Sequence, residues 1–333
     1  MRVLVTGSIA TDHLMLFPGR FAEQVVDTGT AALSLSFLVD SLDVRNGGVA
    51  ANVSVGLSRL GVNSTLVGAV GSDFTDYRAR LAELGVDTSS ILVSPKKYTA
   101  RFLCTTDLDH AQISSFHPGA MSDARQIELR PIVERVGGAR LVLISPNDPG
   151  AMLRHTEECR RNGYPFAADP SQRIGQISAG HIKALVEGAT LLFTNEAERA
   201  TLLAKTGWTK ADVLSRVGMW VTTLGERGAQ IEIAATEPVL VRAVNVKRPI
   251  DPTGIGDGFR AGFLAGMQWG LGYQRSAQVG CTLASFVFEG DGPQEYEVEP
   301  VTLLDRIQAT YGPDTADDVA PHLMLALNRG GWS

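Results

Sequence analysis

The chain has 333 residues, of which 44% are hydrophobic and 20% are charged, so it can bury a large core. Its formal charge of -6 and pI near 5.6 leave no basic field for a nucleic-acid backbone or an anionic membrane surface. Its apolar runs are too short for a signal peptide or a transmembrane helix, and its three cysteines are widely separated. We therefore expect a cytoplasmic protein with reduced thiols and without nucleic-acid or membrane partners.

Hydrophobic periodicity predicts alternating strands and helices along most of the chain. Strands are predicted at 2–5, 64–70, 140–145, 165–168 and 190–193, and helices at 49–60, 73–84, 124–136, 151–162 and 179–186. This alternation is typical of an α/β protein with a doubly wound, mainly parallel sheet flanked by helices. Without a repeat or a long linker, residues 1–333 are expected to form a single domain.

Two segments depart from the alternation and predict a small second sheet, or lid. Residues 13–46 are irregular, with a half-exposed strand predicted at 33–38, and residues 98–118 contain strands at 98–106 and 112–116. Later in the chain, Gly225 to Gly228 separates two apolar runs in the manner of a hairpin turn.

The segment Asp251-Pro-Thr-Gly-Ile-Gly-Asp-Gly-Phe259 precedes an apolar run with helical spacing. Its glycines allow backbone N–H groups to converge at a helix start, where the helix dipole favours an anion. Asp257 would then be positioned to accept a proton from a nearby hydroxyl, as in phosphoryl transfer. The alternative is an ordinary tight turn in which Asp257 caps the helix.

The segment Gly47-Gly-Val-Ala-Ala-Asn52, combined with residues 251–264, resembles the two signatures of the PfkB or ribokinase family of sugar and nucleoside kinases. That resemblance implies a ribokinase-like fold with a β lid. Segments 6–15, 33–40, 116–122 and 168–172 resemble the adenosine kinases of that family, those of actinobacteria most. The implied reaction is transfer of the ATP γ-phosphate, with Mg²⁺, to the 5′-hydroxyl of adenosine.

The resemblance also implies roles for individual residues. Asp257 is the general base, and the amides of Gly254, Ile255, Gly256 and Asp257 form an anion hole. The implied nucleoside-binding residues are Asp12, Gly48 and Asn52 for the ribose, Phe102 and Phe116 for stacking on the base, and Ser8, Ser36 and Gln172 for hydrogen bonds. The implied ATP-binding residues are Asn195, Thr223, Gly225 and Gly256, with Asn195 and Glu198 positioning Mg²⁺ and Asp251 and Thr253 available for a monovalent cation such as K⁺.

Structural alternatives remain open for several of these residues. Asp12 could cap a loop, Asn52 could be a packing amide, and the two phenylalanines could belong to the lid core. Asn195 and Glu198 have the spacing of a helix capping box, and the polar residues could simply be exposed. Two positions depart from the expected pattern: Ile255 replaces a small residue, and Arg173 stands where a second glutamine is expected after Gln172.

Two rival functions are also consistent with part of the pattern. A kinase for a free sugar such as ribose or fructose would share the fold and the glycine-rich turn, but a sugar has no planar face for two aromatic rings. A non-catalytic nucleoside-binding protein would be expected to have lost Asp257 or its glycines, which are present. We further expect a homodimer formed through the lid, because its edge strands and apolar face need to be covered.

Overall fold

The structure is a computed structural model that describes residues 2–24 and 36–328, and a nine-stranded sheet is its centre. In spatial order, its strands are β13 (Val239–Val241), β12 (Ala229–Glu232), β11 (Met219–Thr223), β10 (Leu191–Asn195), β9 (Phe166–Ala168), β8 (Ala139–Ile144), β1 (Arg2–Thr6), β4 (Ser64–Val70) and β5 (Asp87–Val93). The strands from β11 to β5 are parallel, and β12 and β13 are antiparallel additions at one edge. This arrangement confirms the expected doubly wound, mainly parallel sheet.

Helices cover both faces of this sheet. The helices are α1 (Phe21–Gln24), α2 (Val49–Arg59), α3 (Thr75–Glu83), α4 (Leu129–Arg135), α5 (Pro149–Asn162), α6 (Ala179–Val186), α7 (Glu196–Thr206), α8 (Lys210–Leu214), α9 (Ile255–Trp269), α10 (Tyr273–Phe288), α11 (Pro300–Tyr311) and α12 (Pro313–Asn328). Alternate residues of β1 point into different cores: Val3 and Val5 join the one that contains α9, whereas Leu4 joins the one that contains α5. Burial on both faces explains why β4 is apolar or small throughout.

A separate four-stranded sheet forms the expected lid. Its order is β3 (Ser41–Gly47), β2 (Ala10–Leu16), β6 (Ala100–Thr106) and β7 (Gln112–His117). The register places Arg45, Asp12, Phe102 and Phe116 directly opposite one another across the four strands. Because opposed residues share a face, these four side chains form one row, which we call the lid row.

Some elements differ from the sequence prediction. The helix predicted at 124–136 is divided into a 3₁₀ helix, Gly119–Gln126, and α4. The division is stabilised by Glu158, whose carboxylate accepts hydrogen bonds from the amides of Leu129 and Arg130 at 2.9 and 2.7 Å. Of the strand predicted at 33–38, residues 33–35 lie outside the described residues, and 36–38 have no regular structure. Strands β2, β3, β5 and β13 were not predicted.

The hairpin predicted around Gly225 is present, since β11 and β12 pair antiparallel. All three cysteines, Cys104, Cys159 and Cys281, are buried free thiols. Within the described ranges, none of the helices combines the length and apolarity needed to cross a bilayer.

Candidate active site

The start of helix α2 is fixed against the loop that follows β1. Gly48 has a φ of +95°, and a Cβ there would lie 2.6 Å from the carbonyl oxygen of Ser8. The amide of Val49 donates to the Ser8 hydroxyl at 3.0 Å, and the amide of Ala50 donates to the Ser8 carbonyl at 3.1 Å. Ser8 therefore holds the helix start in place, and only its hydroxyl hydrogen is left to donate to a ligand.

The glycine-rich turn forms the start of helix α9. Gly254 is the N-cap with a φ of +79°, and a Cβ there would lie 2.5 Å from Pro293. The amides of Gly256 and Asp257 lie in the first turn, where no helical carbonyl precedes them as a partner. A side chain larger than glycine's at position 254 would displace this turn, so the sequence preserves an open set of amide donors.

The alternative in which Asp257 caps the helix is wrong, because Gly254 is the N-cap and no side chain caps this helix start. Its carboxylate accepts a hydrogen bond of 2.8 Å from the Asn52 side chain on α2. The Asn52 oxygen in turn accepts from Gln294 at 2.8 Å, and Gln294 also donates to the Tyr77 hydroxyl at 2.6 Å. Tyr77 donates to the Gly47 carbonyl at 2.9 Å, which closes a network between the two glycine motifs.

Gln294 and Tyr77 were missed in the sequence. Neither lies in a recognisable motif, and Gln294 is 242 residues from Asn52 along the chain. Both are buried. Their side chains fix the amide orientation of Asn52, so that its nitrogen faces the carboxylate of Asp257.

The surroundings of Asp257 favour its protonated form. Burial raises the pKa of Asp257 to about 7, and the charges of Asp169 and Asp12 act in the same direction against the opposing effects of Arg260 and Asn52. Burial and the charge of Asp251 likewise raise the pKa of Asp12 to about 6, opposed by Arg45. A carboxylate that titrates near neutral pH is a better proton acceptor than an ordinary aspartate.

A second pair missed in the sequence, Arg260 and Asp169, supports the first turn of α9. Both side chains are buried, and the guanidinium nitrogens lie 2.7 and 2.6 Å from the two carboxylate oxygens. The same guanidinium donates to the Gly256 carbonyl at 2.9 Å. Burial raises the pKa of Asp169 to about 6, although Arg260 lowers it. The pair ties the end of β9 to the anion-binding turn.

The lid row brings together three of the predicted nucleoside-binding residues. Asp12 lies between Arg45 and Phe102, and Phe102 lies opposite Phe116. Phe116 is 44% exposed, so its ring is available to a ligand rather than enclosed in a lid core. Two further predicted residues, Ser36 and Gln172, are exposed side chains outside both sheets.

Three of the four predicted ATP-binding residues lie at the carboxyl edge of β10 and β11, whereas Gly256 lies in the first turn of α9. Asn195 and Glu198 form a complete capping box at the start of α7, and Glu198 also accepts from Ser171 at 3.3 Å. Thr223 lies opposite Asn195, and Gly225 follows with a φ of +60°. Among the described residues there is no group of three or more acidic, histidine or cysteine side chains for a metal. The Glu198 carboxylate fits a Mg²⁺ ion held mainly by phosphate and water.

Asp251 already forms an ion pair with an arginine side chain. Arg45 on β3 donates to its carboxylate at 3.0 Å, and the Thr253 amide donates to the other oxygen at 2.8 Å. Arg45 also contacts Asp43 at 2.5 Å and Asp291 at 3.0 Å. A monovalent cation bound to Asp251 would therefore have to share this carboxylate with the guanidinium.

The chain belongs to the pfkB family of carbohydrate kinases, whose family model matches residues 9–299. It is 30% identical over 288 residues to the nucleoside kinase of Methanocaldococcus jannaschii, covering 82% of this chain and 92% of that protein. The nucleoside kinase of Burkholderia thailandensis, solved in complex with inosine, is 32% identical with a TM-score of 0.82, covering 93% of this chain and 98% of that one. The structure of the same kinase with ADP-inosine has a TM-score of 0.79 at 32% identity, covering 93% of this chain and 96% of that one. These comparisons confirm the expected family and fold.

Proposed function

We propose that this protein is an ATP-dependent nucleoside kinase that phosphorylates the 5′-hydroxyl of a purine nucleoside, with adenosine as the acceptor favoured by its sequence. The observation that carries the proposal is Asp257, a carboxylate with a raised pKa held beside the open amides of α9. The names of the similar proteins, nucleoside kinases from Methanocaldococcus jannaschii and Burkholderia thailandensis, support the class of acceptor. The inosine and ADP-inosine bound in the latter support a nucleoside beside a nucleotide.

In this mechanism, Asp257 removes the proton of the attacking hydroxyl. Asn52 occupies Oδ2 of its carboxylate, so Oδ1 is left to accept the 5′-hydroxyl hydrogen. The amides of Gly254, Gly256 and Asp257 donate to the oxygens of the transferred phosphoryl group, and that of Ile255 joins them on release of its 3.4 Å hydrogen bond to the Pro252 carbonyl. Because the transition state for phosphoryl transfer is loose, alignment and charge neutralisation are the main contributions.

The nucleotide is assigned to the carboxyl edge of β10 and β11. Asn195, Thr223, Gly225 and Gly256 would contact its phosphates, since they border that edge and the first turn of α9. Mg²⁺ bound with ATP would neutralise phosphate charge, with Asn195 and Glu198 holding it through water. The capping box fixes both side chains at the start of α7.

The acceptor is assigned to the lid row. A carboxylate at Asp12 can accept hydrogen bonds from two adjacent ribose hydroxyls, with Gly48 and Asn52 close to the same sugar. Phe102 and Phe116 provide a platform on which a flat base can stack. A free sugar would leave this platform unused, which separates the proposal from the sugar-kinase alternative.

Steady-state kinetics with ATP, Mg²⁺ and a panel of adenosine, guanosine, inosine and ribose tests this function. We expect turnover with the nucleosides and a much lower kcat/KM with ribose. Preference for ribose would instead establish a sugar kinase. Nucleoside binding measured by calorimetry, without formation of a nucleoside monophosphate, would establish a non-catalytic binding protein.

We also propose a homodimer formed through the outer face of the lid. Leu42, Val44 and Ile113 are 58%, 53% and 44% exposed. Their register places them on the face opposite the lid row, so that they point away from the active site. Light scattering should give the mass of two chains, and Val44→Asp should give that of one. A wild-type monomer would overturn the proposal.

A further inference from the structure

Arg173 is a candidate for recognising the nucleoside base, and the proposed mechanism assigns it no role. Arg173 lies on the 3₁₀ helix Ser171–Gly175, which directly follows β9. Asp169, between that strand and the 3₁₀ helix, pairs with Arg260, which donates to the first turn of α9. Arg173 therefore extends from the same edge of the main sheet as the proposed active site.

The side chain of Arg173 reaches from this edge to the lid. Its guanidinium carbon lies 5.8 Å from the centroid of the Phe116 ring, and Nη2 lies 4.0 Å from the sulfur of Met121. Phe116 belongs to the lid row with Phe102 and Asp12. A partly buried guanidinium thus borders the aromatic platform to which we assign the base.

This guanidinium retains hydrogen-bond donors for a ligand. Of its five N–H groups, one donates to the Gln176 side chain at 2.7 Å, and the Met121 sulfur is a weak acceptor. Among the described residues, Arg173 forms no ion pair with a carboxylate. Burial lowers the pKa of Arg173, opposed by the charge of Asp148, whose carboxylate is held by Arg125 at 2.7 Å.

We propose that Arg173 recognises the O6 and N7 acceptors of a 6-oxopurine, so that inosine and guanosine are accepted alongside adenosine. Paired N–H donors of arginine match these two acceptors, whereas adenine presents an amino donor at position 6 and is matched by glutamine or asparagine. The inference rests on the proposed function, because it requires a nucleoside whose base lies on the lid row.

The test compares kcat/KM for inosine, guanosine and adenosine in the wild type and in Arg173→Gln. Loss of a bidentate contact should lower the inosine-to-adenosine ratio by about 10- to 100-fold in the variant. Replacing inosine by 7-deazainosine, which lacks the N7 acceptor, should lower kcat/KM for the wild type more than for the variant. An equal loss of kcat/KM with 7-deazainosine in the wild type and in the variant would contradict the assigned contact.

Arg101→Gln provides a matched control. Arg101 also lies over an aromatic ring, 5.0 Å from the centroid of Tyr98, but it precedes Phe102 in β6 and so occupies the opposite face of the lid. Its replacement should leave the inosine-to-adenosine ratio unchanged. If Arg173→Gln lowers kcat/KM equally for all three nucleosides, Arg173 only holds the lid and this inference fails. Absence of turnover with every nucleoside would instead overturn the proposed function.

Discussion

The start of α9 and the lid row are assigned to the two partners of one reaction, yet the chain specifies them differently. The helix start is local: nine consecutive residues provide the turn, the amides and Asp257. The lid row is assembled across four strands separated by up to about a hundred residues, and only the register brings Asp12, Phe102 and Phe116 together. The comparison separates residues assigned to phosphoryl transfer from residues assigned to acceptor choice, so each region should affect a different kinetic parameter.

The largest loss of activity is expected from Asp257→Asn. The amide side chain keeps its size and can still bond to Asn52 after a flip, but it cannot accept the hydroxyl proton. We expect kcat to fall by about 10³-fold, while nucleoside affinity stays within a few-fold. Rapid-quench assays and isothermal titration with the nucleoside measure the two quantities. A kcat near that of the wild type would contradict the role of Asp257 as general base.

Thermal stability gives the control for this variant, with a defined pH dependence. The pKa of Asp257 is 3.8 ordinarily and about 7 in the folded chain, so the folded state binds the proton more tightly between these values. Its contribution to the free energy of unfolding therefore decreases as pH rises through this window. Asp257→Asn lacks that loss and should melt at a higher temperature than the wild type at pH 8, with a smaller difference near pH 4.

The lid side of the comparison is tested by Phe116→Ala. Stacking of a base on an aromatic ring contributes about 1–3 kcal/mol, so we expect KM for the nucleoside to increase by about 10- to 100-fold with little change in kcat. Tyr98→Ala is the control, since this ring is also exposed, at 59%, but lies outside the lid row. An equal increase in KM for both variants would indicate general weakening of the lid rather than base stacking.

The same contrast explains what could be predicted from the sequence. Strand β4 was placed at its observed bounds because burial on both faces leaves a continuous apolar run. Asp257 and Asn52 were both selected from their motifs, and the structure joins them at 2.8 Å although 205 residues separate them. In both cases the signal lies within a few neighbouring residues.

The parts that were missed depend on long-range contacts. Strands β2 and β3 are half-exposed, so they lack the apolar run that identified β4. The pairing of Asp169 with Arg260 and the contact of Gln294 with Asn52 bridge distant segments without any spacing pattern. The lid row could not be deduced either, since a shift of one residue in register would place Phe102 on the opposite face.

A smaller effect is expected from Asn52→Ala, which tests how α2 tunes the base. The Asn52 hydrogen bond lowers the pKa of Asp257, so its loss should move the acidic limb of the kcat/KM profile to higher pH. In the wild type, activity should rise with pH and level off above about 7, because the base must be deprotonated. Ser54→Ala, another buried site on α2, should leave the profile in place. An unshifted profile in Asn52→Ala would mean that Asn52 does not lower the pKa of Asp257.

The smallest change is expected on removal of K⁺, and it tests where the two regions meet. Arg45 belongs to the lid row, yet it pairs with Asp251 just before the anion-binding turn. This guanidinium already balances the charge of Asp251. Replacing K⁺ by Na⁺ should therefore change wild-type kcat by less than about twofold, because the ion then contributes only to the ionic strength. Arg45→Ala leaves Asp43, Asp251 and Asp291 without it, so kcat should fall and recover partly as K⁺ is added. Arg20→Ala, which removes an exposed arginine paired with Asp109, should show no such recovery. Strong K⁺ activation of the wild type would mean that the ion binds despite Arg45, and that the guanidinium does not substitute for it.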